Sequence, residues 1–173
     1  KYNAKIMAMN AIDYEMEQDN TVLYLDTMIE KDLISPIKNP FGKEELCDPF
    51  ESKVTLKENL KIPTLKCGSY LIEWQDLDAN HYIIYKVGNW QNKQEKNMEE
   101  KSFYNLKKDG EYLFNQYYEL DLFLMKVRKL TNRTFKSLEE IEDEYEIVEK
   151  KLYREKKIIK EIKKETTITE EGE

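Results

Sequence analysis

Histidine is nearly absent from this chain: His81 is the only one in 173 residues. A catalytic triad or a histidine-built metal centre needs a base together with partners, so both kinds of site lack their usual starting material. Glycine is scarce as well, at five residues. Neither a Walker loop nor a G-x-G-x-x-G run occurs, which removes the backbone cradles that hold phosphate. No apolar run reaches the ~18 residues that a membrane-crossing helix needs. No signal-peptide pattern occurs within the chain either, and the sequence, which starts at Lys1 inside an expected helix, reads as a trimmed or mature fragment. Positive charge is also short overall: the formal net charge is −7 and the pI near 5.1, which excludes nucleic acid as the expected partner. These absences together lead us to expect a protein that is not an enzyme and has no catalytic residue, cofactor or metal ligand.

What is present is a charged but aromatic-rich chain, with 36% charged residues and twelve tyrosines. Disordered chains lack aromatics, so a folded body with a charged solvent face is expected. The length suits one domain with an appendage. Basic residues concentrate in one stretch, Glu149 to Lys164, which holds eight Lys/Arg against three Glu. A face of that kind reads as solvated, or as a contact for an acidic surface. The two cysteines, Cys47 and Cys67, form no C-x-x-C pair; they flank a predicted strand beside Asp48-Pro49 and Gly68. They read as a disulfide, with two buried thiols as the alternative and a metal site the weakest option. A bridge would imply an oxidising compartment.

Apolar spacing of three and four predicts a helix over residues 2–17 and a second, short one from Val22 to Ile34, stopped by Ser35-Pro36. Pro36, Asn39-Pro40, Gly42 and Asp48-Pro49 then punctuate a loop. The period next changes to two, and strands are expected around Val54–Leu60, Tyr70–Gln75 and Tyr82–Val87. Gln91–Lys101 is polar and reads as loop. Asp109-Gly110 between apolar runs signals a hairpin, and Glu119–Leu130 a helix. Ser137 and Glu140 fit a capping box. Behind them Ile141, Tyr145, Val148, Leu152, Ile159 and Ile162 suggest one long charged helix over 136–165. The competing reading breaks that helix near Glu146 into β-ribbon, because the stretch is rich in Ile, Val and Tyr. Residues 166–173 read as a disordered tail.

Taken in order, these pieces resemble the water-exposed part of a type IV pilin-like, prepilin-type (pseudopilin) protein of low-GC Gram-positive bacteria. The matching segments are the helix AKIMAMNAIDYEME, the segment TVLYLDTMIEKDLI, the loop SPIKNPFGKEELCDPF and the strands SKVTL, KCGSYLIEW and HYIIYKV. The resemblance covers residues 1–90; residues 91–135 would complete or extend that domain. It implies an α+β fold in which the N-terminal amphipathic helix packs on a small antiparallel meander sheet, with a charged helical portion added at the C-terminal end. It also implies a non-enzymatic structural or adhesive part in a pilus-like or type II secretion-like filament at the cell surface. The partners would be other pilin or surface subunits, and the membrane would be reached only through an N-terminal anchor missing from this chain.

Three further patterns bear on binding. Asp76-Leu77-Asp78-Ala79-Asn80 opens like a calcium loop, but His81 stands where the turn glycine belongs and Val87 where the twelfth-position Glu belongs, so a plain hairpin tip is the stronger reading. Trp74, Tyr82, Tyr85 and Trp90 could form an aromatic ligand surface; the alternative is that they fill the core and cover the sheet. Such a surface would suit a secreted or surface-anchored module that binds glycan or protein, the rival to the filament reading. Asn132-Arg133-Thr134 is a glycosylation sequon that reads chiefly as a turn.

Overall fold

The computed structural model describes residues 22–39, 46–57, 60–75 and 81–163. These fall into two compact units, one drawn from the chain up to Gly88 and from Lys156 onward, the other spanning Asn89–Glu155.

The first unit is an antiparallel sheet in the order β1-β2-β3-β4-β5-β9. Its strands are β1 (Val22–Tyr24), β2 (Lys53–Lys57), β3 (Leu60–Cys67), β4 (Tyr70–Trp74), β5 (His81–Val87) and the Lys156–Lys163 part of β9 (Glu146–Lys163). Gly68, at φ 61°, supplies the left-handed residue of the tight β3–β4 turn. Pro63 lies inside β3 yet costs no ladder bond to β4, since that pairing begins one residue later, at Thr64 opposite Glu73. Leu23, Leu25, Met28, Val54, Leu65, Leu71 and Trp74 are buried. Burying side chains of this kind contributes about 1.5–3 kcal/mol each.

A short polar knot anchors the segment that carries Cys47. Asp48 donates its N–H to Lys66 O at 2.7 Å, and the N–H of Phe50 bonds the Asp48 carboxylate at 2.8 Å. Ser52 is fully buried because its Oγ accepts the Lys66 N–H at 3.0 Å, while its carbonyl accepts from Leu25 at 2.8 Å. Helix α1 (Leu25–Glu30) is thereby tied to the same loop.

In the second unit the Glu146–Glu155 part of β9 pairs with β6 (Met98–Lys108), which also pairs with β7 (Glu111–Tyr112) and β8 (Tyr118–Glu119). Asp109 and Gly110, at φ 53° and 81°, form the two-residue hairpin turn that only left-handed-tolerant residues close well. Helix α2 (Leu120–Thr131) buries Leu122, Phe123 and Val127, and Tyr104 and Phe114 both meet the Phe123 ring. It ends at Asn132 in the left-handed region, whose N–H bonds Arg128 O at 2.7 Å. Helix α3 (Leu138–Glu142) starts at Ser137, whose hydroxyl accepts from Glu140 N at 3.3 Å.

The fold class expected from sequence is corrected here: the described residues form mainly antiparallel sheet with three short helices, not an α+β arrangement led by a packed helix. The helix expected over 2–17, the loop Asp76–Asn80 and the tail 166–173 lie outside the described residues. Val22–Tyr24 is a strand, since its β-branched and aromatic residues pair with β2 at Thr55, Val54 and Lys53. The loop expected over 91–101 gives way to β6 from Met98.

The long helix expected over 136–165 is the largest correction. The capping box does start a helix, but it stops within five residues. Glu139, Glu140, Glu142, Asp143, Glu144 and Glu146 place like charges at the i,i+4 spacing and pile negative charge on the negative end of the helix dipole. From Glu146 onward the Ile, Val and Tyr content serves a strand that finds β6 and then β5 as partners. The β-ribbon alternative was therefore the one that described this stretch.

Candidate functional site

The two cysteines are joined. Cys47 and Cys67, twenty residues apart, form a disulfide with both residues at most 2% exposed. The bridge links the polar knot to the end of β3, so it holds a loop to the sheet at a point where backbone hydrogen bonds already converge.

Two of the four aromatic residues considered for a ligand surface, Trp74 and Tyr82, are buried. Trp74 and Tyr82 lie directly opposite each other on β4 and β5, with ring centroids 5.5 Å apart and 2% and 5% exposure. Tyr85 is half-buried under the Lys156 ammonium, 4.4 Å from the ring centroid, and Lys156 also reaches Glu73 at 3.3 Å. Trp90 belongs to the second unit. His81, at the start of β5, pairs with Glu161 on β9.

Around Trp90 the second unit builds a cluster that sequence reading passed over. Arg154 and Glu99 sit directly across β9 and β6, and Arg154 Nε donates to Glu99 Oε1 at 2.9 Å. The guanidinium lies 4.1 Å from the centre of the Trp90 ring, which meets Phe103 edge-on at 5.1 Å. Arg154 is 1% exposed, so a permanent charge is enclosed by an ion pair and an aromatic face. Lys101 stands 5.6 Å from the same ring and 3.4 Å from the buried Glu119 carboxylate. One signal for it existed: Arg154 is an arginine among lysines, and arginine is favoured where a cation must stack and pair at once.

A second aromatic group faces solvent. Tyr117 donates to the hydroxyl of Tyr112 at 3.2 Å, and this hydrogen bond pushes the Tyr117 phenol above its ordinary pKa. Lys107 and Lys150 lie over these rings at 4.8 and 4.9 Å. Half of Tyr112 remains exposed, so the group presents hydroxyls and ammoniums rather than a bare stacking face.

At the far end of the β6–β7 hairpin an open groove of about 290 Å³ lies between Lys107, Lys108 and the acidic run Glu142–Glu146. Among the described residues no group of His, Cys, Asp and Glu is arranged to hold a metal ion. Beside the groove, Arg133 grips Glu144 through two contacts of 2.7 and 2.9 Å. The hydrogen bond to Arg133 holds the Glu144 carboxyl below the usual carboxylate range and raises Arg133 in return. A depressed carboxylate pKa adds stability above its unfolded value and loses it as pH falls through the folded one. Replacing Arg133 with alanine is expected to move the Glu144 midpoint upward toward the ordinary value, as followed by side-chain carboxyl NMR; an unmoved midpoint would show the grip is absent in solution.

The geometry defines a disulfide-bonded antiparallel β protein. Comparison with protein-family models, with curated proteins and with solved structures gives no match to this chain.

Proposed function

We propose that this chain is a secreted or surface-anchored, non-enzymatic module that works by binding another macromolecule. The observation that carries the proposal is the Cys47–Cys67 disulfide, enclosed in the core of the first unit. Bonds of this kind form and persist in oxidising compartments and are rare where thiols are kept reduced. The exposed apolar residues support the reading. Tyr112, Leu113 and Leu120 in the second unit, and Ile158 and Ile159 in the first, stand open to solvent. The test is labelling of intact native cells with a membrane-impermeant reagent, together with thiol counting on unreduced protein. Labelling without lysis and no free thiol are expected; labelling only after lysis would overturn the proposal.

A filament subunit is the second reading. A proline-punctuated loop leads through the disulfide into the antiparallel strands β2–β5, which supports it. Electron microscopy of surface material stained with an antibody to this chain separates the two: decorated fibres favour the subunit, diffuse label the module.

A further inference from the structure

We infer that the outer edge of β9 over Lys156–Lys163 accepts an extended, acidic segment of a partner protein as an added strand. This deepens the binding-module reading by naming the class of partner.

Within the first unit β9 is a terminal strand. Over Lys156–Lys163 it pairs with β5, and among the described residues no strand pairs with the other side of that stretch, since β6 pairs only as far as Glu155. The opposite end of that sheet is β1, only three residues long and running straight into α1. The long open ladder of backbone donors and acceptors is therefore on β9. A row of this kind is a template for another extended chain.

The side chains along the edge say which chain fits. Residues 156–163 read KKIIKEIK, with four lysines and one glutamate. Lys156 is committed to Glu73 and Tyr85, and Glu161 to His81. Lys157 stands directly opposite Lys86, a like-charged cross-strand pair that is unfavourable as it stands. No ion pair links Lys86, Lys157, Lys160 or Lys163 to a carboxylate among the described residues. An incoming strand with carboxylates at alternate positions would neutralise this row.

Lysines on an edge can instead serve to repel strands. A protective edge, however, has no reason to expose large apolar side chains, and here Ile158 and Ile159 are 64% and 51% exposed. The pairing with β5 slips between Ile84 and Tyr85, which leaves Ile159 with no residue opposite it. Two β-branched residues in succession offer an apolar contact on each face of a docked strand. A second copy of this edge fits badly: two-fold pairing that buried both isoleucines would set Lys157 against Lys160. The partner segment is thus an acidic stretch in which Glu or Asp alternates with Val or Ile.

The test uses the full, oxidised chain and a labelled octapeptide of alternating Glu and Val. Controls are its Lys/Val counterpart and a Glu/Val peptide N-methylated along one edge. Saturable binding to the first alone is expected, with slowed amide exchange across Lys156–Lys163. Lys157→Glu with Lys160→Glu should weaken binding about tenfold or more, and Ile159→Lys should also weaken it, while the unfolding curve of each variant stays close to that of the parent. No saturable binding overturns the inference. So does binding that the N-methylated peptide matches, or binding to anionic vesicles of equal strength, because either outcome would mean plain charge attraction. Its failure is distinguishable from failure of the module reading: the disulfide and surface labelling stand or fall by their own measurements.

Discussion

Replacing Arg154 with alanine is expected to destabilise the second unit by about 3–5 kcal/mol, the range seen when one partner of a buried ion pair is removed. Three losses combine in that change. Glu99 loses the Nε donor at 2.9 Å, Trp90 loses the guanidinium at 4.1 Å, and a side chain that is 1% exposed leaves a void. Arg154→Lys keeps the charge but not the planar stack, so a smaller loss is expected. Replacing Arg154 and Glu99 together with methionine and leucine should recover much of the deficit, because no unpaired charge then remains inside. The measurement is urea unfolding followed by Trp90 fluorescence in a Trp74→Phe background, where Trp90 is the sole tryptophan. A loss below ~1 kcal/mol for Arg154→Ala, the range of exposed pairs, would show that this arginine is solvated in solution.

The second large effect concerns the first unit. Removing the bridge with Cys47→Ser and Cys67→Ser should cost about 3 kcal/mol, the loop-closure value for a separation near twenty residues. The same loss should appear when the parent protein is unfolded with a thiol reductant present, and the double variant should ignore the reductant. A parent that unfolds identically with and without reductant would mean that the two thiols are not joined. The loss is bounded because the loop has other ties: Asp48 to Lys66, Ser52 to Lys66 and Asp26 to Pro49 survive reduction.

Local chemistry was readable where one residue type has one job. Asp109-Gly110 closes a hairpin because both positions need positive φ, and Ser137 caps a helix because its hydroxyl can reach Glu140 N. The apolar stripe of Leu120–Leu130 marked α2 for the same kind of reason. Reading failed where partners far along the chain decide. Val22–Tyr24 fits a helical stripe on its own, and only β2 makes it a strand. Residues 146–163 satisfy helical spacing about as well as strand composition, and pairing with β6 and β5 settles the matter. The same limit hid the Arg154 cluster, since Glu99 meets Arg154 only through the β6–β9 register, and Trp90 only through the bridge of Gln91 to Tyr153. The lysines of β9 were visible as a basic run; the opposition of Lys157 to Lys86 was not.

One feature of the first unit bears on how the protein is made. Its sheet takes its last strand from Lys156–Lys163, paired with His81–Val87 about seventy to eighty residues earlier. During synthesis β5 emerges first and waits, with Ile83, Ile84 and Tyr85 on a bare flank, until the C-terminal stretch has cleared the ribosome. A nascent chain halted before Lys156 would therefore be a sticky species. Chaperones that shield extended apolar segments would be most needed in that interval, and truncation just upstream should send the product into aggregates although most of the unit's strands are present.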